Sequence, residues 1–168
     1  MNLDIIDMAP ARVACLRHTG PYDSSLAEFW NEIFWPWARA KELAGGTCYG
    51  ICHDNPELTP PEQCRYDACI EVPEDFEPDG LSTITALPGG QYAAMDFTGT
   101  ADTIGDAWNA LFREGLPHSG LQIDETRPIV EYYPPDANID AATGTFACKL
   151  CVPVAGNATK ENSVSVFS

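Results

Sequence analysis

The chain has 168 residues, 45% of them hydrophobic and 20% charged, the composition of a folded domain with a sizeable core. Its formal net charge is -16, with 25 acidic residues against 9 basic ones. That balance, without any basic stretch, excludes direct nucleic-acid binding, which needs cations to replace the counterions along the phosphates.

The first strand is predicted over residues 12–18, followed by a Thr-Gly turn. Leu26, Phe29, Trp30, Ile33, Phe34 and Trp37 then recur at helical spacing and predict a helix over residues 24–44. Asp23 is its expected N-cap, and Pro36 is expected to end or kink it. Strands follow over residues 48–53 and 64–72. The acidic, turn-rich stretch EDFEPDGLS (74–82) reads as a bridge. Past it come a strand over 91–97, a helix over 103–114 with Asp102 as expected N-cap, and strands over 129–133 and 145–152. Residues 156–168 form a polar tail ending in the alternating SVSVFS, which reads as an edge strand or a loose end.

These elements repeat. VACLRHTGPYDSSLAEFWNEIF (13–34) answers YAAMDFTGTADTIGDAWNALF (92–112), with Ala14/Ala93, Thr19/Thr98, Gly20/Gly99 and Asp23/Asp102 at a common spacing of 79. After a one-residue slip, Trp30 matches Trp108, Asn31 matches Asn109 and Phe34 matches Phe112. The predicted class is therefore α+β: two β-α-β-β units, about residues 3–79 and 82–154, in one domain spanning 1–155. A pseudo-twofold arrangement of such units leaves a central groove between the halves, a natural place for a pocket.

Glu131 is the acidic residue that stands out, because it lies in the apolar run RPIVEYY (127–133). Alternation puts Ile129, Glu131 and Tyr133 on one strand face and Val130 and Tyr132 on the other. A carboxylate buried there is paired or functional, and the alternative is an edge position open to water. Trp37, Tyr49, Tyr66, Trp108, Tyr132 and Tyr133 are candidate pocket aromatics. With one carboxylate they suit a flat cationic or amphipathic ligand. For Trp30 and Trp108 the shared helical stripe favours core packing.

No metal site is expected from the seven cysteines. Cys148 and Cys151 have zinc-like spacing, but alternation places them on opposite faces of a strand, and Cys48 and Cys52 have only His53 nearby. The three histidines have no spacing that links them to a nucleophile, and no phosphate-binding or dinucleotide motif is present, so no cofactor is implied. No apolar run reaches the length of a membrane span. The start MNLDIIDMAP is unlike a signal peptide, so a cytoplasmic location is expected.

In order along the chain, HTGPY (18–22), YGICHDNP (49–56), CRYDACIEVP (64–73), LPGGQYA (87–93), WNALF (108–112), LPHSG (116–120) and RPIVEYY (127–133) resemble the GyrI-like effector-binding domain. The resemblance covers about residues 3–154 and implies a duplicated fold with a central groove that takes small molecules, often aromatic cations. It implies that Glu131 is the groove glutamate, with Tyr133 and Trp108 beside it. Relatives are often fused behind a DNA-binding module, for which residue 1 leaves no room ahead of the first strand. For a stand-alone member it implies a small-molecule binder first. The alternatives are a hydrolase of cyclopropane-containing toxins using Glu131 and a groove tyrosine such as Tyr133, or a protein acting on DNA gyrase.

Overall fold

The computed structural model describes residues 2–135, 140 and 142–155. β1 (Asp4–Met8) and β2 (Ala11–Thr19) lead into a first helix, built from α1 (Ser24–Phe29), a π turn (Trp30–Phe34) and α2 (Trp35–Ala40) without interruption. β3 (Cys48–Cys52), β4 (Arg65–Glu71), β5 (Thr83–Leu87) and β6 (Gly90–Gly99) follow. A second helix joins α3 (Ile104–Ala110), a π turn (Leu111–Gly115) and α4 (Leu116–Ser119), and β7 (Val130–Tyr133) and β8 (Phe146–Pro153) complete the fold.

All eight strands join one curled antiparallel sheet in the order β1-β6-β8-β7-β3-β4-β2-β5. The class is α+β, as expected. β1 and β5, which the sequence pattern did not predict, are the two edges. Each has five residues and only partial burial, so neither carries a clear alternation. Both also cross over: β1 pairs with β6 (Ile5 opposite Ala93), and β5 pairs with β2 (Val13 opposite Thr85).

Both helices pass through a proline, and Pro36 was expected to end or kink the first. Pro36 has no N–H to donate and its ring crowds the carbonyl four residues back. Immediately before it the helix widens: the Trp35 N–H reaches the Trp30 carbonyl, five residues back. Pro117 follows the same arrangement, in which the Leu116 N–H bonds the Leu111 carbonyl. The second helix therefore runs past its expected end at residue 114 to Ser119, where Gly120 (φ 76°) closes it in the left-handed conformation. Asp23 caps the first helix as expected, accepting from the Ser25 N–H at 2.8 Å. Asp102 does not cap the second; Thr103 holds that position.

Strand alternation divides the core in two. On β2, Ala14 and Leu16 face the helices, whereas Val13 and Cys15 face away. The helix-covered face carries one cluster beneath each helix, around Phe34 and Ile70 and around Leu111 and Leu150. The opposite face is closed by the curl of the sheet itself. Tyr49, Cys69, Leu87, Tyr92 and Val130 meet there, drawn from strands of both halves. Cys148 and Cys151 lie on opposite faces, as alternation requires. Among the described residues no group of metal-ligating side chains is assembled, and no helix is long and apolar enough to cross a membrane.

Candidate functional site

The two helices lie side by side on the sheet, and between them runs a cleft of about 1010 Å³. β3 and β7 are neighbours at the middle of the sheet and form its floor. Their register sets Gly50 directly opposite Glu131. Glu131 is therefore on a central strand and 4% exposed, which overturns the edge reading.

Four donors converge on the carboxylate. Oε1 accepts from the Tyr66 hydroxyl at 2.8 Å and the Tyr133 hydroxyl at 2.9 Å. Oε2 accepts from Trp108 Nε1 at 3.2 Å and, more weakly, from Cys52 Sγ at 3.9 Å. Trp30 Nε1 in turn donates to Tyr66 Oη at 3.0 Å, so an indole from each helix is tied to the floor. Trp30 also lies against the Tyr133 ring, with centroids 5.4 Å apart. Gly50 makes this geometry possible. A Cβ at that position would stand 2.0 Å from Tyr66 Oη and 2.7 Å from Glu131 Oε1.

Burial dominates the electrostatics and pushes the Glu131 carboxyl above its ordinary range, although hydrogen bonds from Tyr66, Tyr133, Trp108 and Cys52 oppose the shift. Burial, and then the charge of Glu131, hold the Tyr66 and Tyr133 phenols well above theirs, so both remain donors. Near one end of the cleft, Asp54 takes a bidentate pair from Arg65 and is held down to about 2 by that bond. What results is a deep aromatic trough with a single buried acid on its floor, able to receive a hydrophobic molecule and to balance one positive charge.

Comparison with known proteins shows the family. Residues 1–155 match the model of the GyrI-like small molecule binding domain. The chain belongs to this family. A DNA gyrase inhibitor of Erwinia billingiae is 30% identical to this GyrI-like chain over 160 residues, covering 92% of it and 97% of the relative. Among solved structures, the EcmrR C-terminal domain superposes with a TM-score of 0.71 at 14% identity, over 93% of this chain and 98% of that one. SAV2435, solved bound to tetraphenylphosphonium, gives 0.55 at 13% identity, over 93% and 95% of the two chains. At these identities the two structures establish a shared fold.

Of the seven site residues expected from sequence, four meet in the cleft of this GyrI-like domain: Glu131, Tyr133, Trp108 and Tyr66. The other three lie elsewhere, Tyr132 packing against Tyr49 with ring centroids 5.8 Å apart. Tyr49 points to the opposite sheet face, where its hydroxyl donates to Glu71 at 2.7 Å. Trp37 is buried under the first helix and donates to Asp79 at 3.0 Å. Among the cleft residues that were not anticipated are Tyr22, Trp35, Cys52 and Trp30, the last having been assigned to the core. Cys52 shares a strand face with Gly50, and the register with β7 turns that face to the cleft. Tyr49→Phe is expected to lower stability by about 1 kcal/mol through its lost hydrogen bond and to leave cleft binding unchanged, as chemical denaturation and a ligand titration would establish.

Proposed function

We propose that this domain holds a lipophilic aromatic cation in the cleft, with Glu131 as its counter-charge. The buried carboxylate ringed by Trp30, Trp108, Tyr66 and Tyr133 is the observation that carries this reading. A cation placed there gains Coulombic attraction in a water-poor site and cation–π contact with the rings. The reading takes the fold as two related halves about a pseudo-twofold at the β3–β7 seam, with the acid supplied by one half only. Tetraphenylphosphonium is the natural first probe: it should bind and quench tryptophan fluorescence, whereas neutral triphenylphosphine oxide should bind far more weakly. Equal affinity for both would remove the counter-charge from the argument.

The raised Glu131 pKa gives this binding a pH dependence of definite sign. Between the ordinary glutamate value of about 4.3 and the higher folded value, the folded protein holds a proton that the unfolded chain has lost. This contribution to stability is therefore full below the lower value and is lost as pH rises through the upper one. A bound cation favours the carboxylate and expels the proton. Affinity should rise with pH across that window, by up to about tenfold per unit, and then level off. Calorimetry in buffers of different ionisation enthalpy would register the released proton.

Two further readings have specific support. The gyrase-inhibitor relative, aligned over nearly its whole length, favours a protein partner such as DNA gyrase. Unchanged supercoiling at a large excess of this protein would dismiss that activity. The Tyr133 and Tyr66 hydroxyls on one carboxylate oxygen suit acid–base hydrolysis of an electrophilic ligand such as a strained cyclopropane. Recovery of such a ligand unaltered after prolonged binding would rule turnover out.

A further inference from the structure

The cleft extends well beyond Glu131. Its far end is bordered by Trp35 and Arg39 of the first helix, by Gly45 and Gly46, and by Pro134 and Pro135. Gly45 and Arg39 are both exposed to solvent. Arg39 is singular in one respect. Eight lysines and arginines fall among the described residues, and seven have a side-chain partner. Arg12 bonds the carbonyls of Pro73 and Phe76. Arg17, Lys41, Arg65, Arg113, Arg127 and Lys149 all pair with carboxylates. Arg39 alone among the described residues has no partner, in a chain with 25 acidic residues. Arg39 is exposed where it borders the cleft, and a guanidinium in such a place is chemically suited to meet an anionic group.

We infer that Arg39 forms a second subsite, for an anionic group carried by the same ligand whose cationic aromatic part sits over Glu131. The favoured ligand is then amphoteric: an aromatic cation linked to a carboxylate, sulfonate or phosphate. Trp30 marks the Glu131 end, and Arg39 is nine residues further along a helix in which the π turn takes up one extra residue, a rise of about 12 Å. The two charges of the ligand must stand apart on that scale, less the reach of the arginine side chain. The position of Arg39 in the last turn of the helix also suits the helix dipole, a purely structural role that predicts no effect on ligand choice.

This inference rests on the cleft reading, and the test separates the two. Four probes are titrated into the full chain at low salt: triphenylphosphonium bearing an undecanoic acid tail, the same with a butanoic acid tail, and the methyl ester of each. The long acid should bind about three- to fivefold more tightly than its ester, the range of a solvent-accessible ion pair. The short acid, unable to reach, should show no advantage over its ester. Arg39→Gln should bring the long acid and its ester to equal affinity while leaving the esters bound as before. High salt should erase the same advantage. Equal binding of the long acid and its ester to the wild type overturns the subsite and leaves the cleft reading intact. So does an Arg39→Gln variant that loses stability but keeps the acid preference. Failure of all four probes to bind overturns both.

Discussion

Glu131→Gln is expected to weaken binding of tetraphenylphosphonium by about 2–4 kcal/mol, roughly 30- to 1,000-fold in Kd, without unfolding the protein. The substitution conserves volume and removes only the charge. An amide oxygen can still accept from Tyr66 and Tyr133, but its NH2 group would meet two donors, Trp108 Nε1 and Cys52 Sγ. That mismatch is destabilising. It is offset at neutral pH because a neutral group replaces a carboxyl that burial already drives toward protonation. The melting temperature should therefore change little near pH 7, while the pH dependence of binding flattens. A Kd within about threefold of wild type would show that the buried charge does not select the ligand.

Gly50→Ala is the companion prediction, and here the fold itself suffers. The new methyl would overlap Tyr66 Oη and crowd Glu131 Oε1, and neither can simply swing aside. Tyr66 is 1% exposed and tied to both Trp30 and Glu131. Overpacking together with a broken buried hydrogen bond is expected to cost about 2–5 kcal/mol. For a domain of this size that lowers Tm by roughly 5–15 °C. Gly50→Ala combined with Tyr66→Phe removes the hydroxyl that is struck first and should recover part of the loss. A single variant that melts with the wild type would mean the floor has room to spare.

The sequence was informative wherever a local rule decides the outcome. The 2-residue period of RPIVEYY correctly set Glu131, Tyr133 and Ile129 on one face, all of them bordering the cleft. The helical stripe located both helices. It also put Trp37 on the buried face, where it lies; the pocket reading of Trp37 came from its ring alone. Trp35, bonded back to Trp30, takes the cleft position instead. Tyr49 was misread for a different reason. Alternation on β3 separates it from Gly50 and Cys52, but which face is the cleft depends on the β3–β7 register, which no local pattern encodes. The importance of Gly50 was hidden likewise, since an absent side chain acquires meaning only opposite Glu131 and beneath Tyr66. The tail, with its alternating SVSVFS, lies outside the described residues.

The crossing of β1 and β5 has a mechanical consequence. The outer strand beside β6 and β8 comes from the start of the chain, and the outer strand beside β2 and β4 comes from beyond the bridge. Each half is thus clasped by a strand that belongs, in sequence, to the other. Cut at the bridge, neither fragment would keep its own border strand, and each would expose a raw hydrogen-bonding edge. The domain should melt as one cooperative body, with the floor strands β3 and β7 held to each other by their own pairing. The trough's floor is one continuous hydrogen-bonded sheet, and its walls are the two helices.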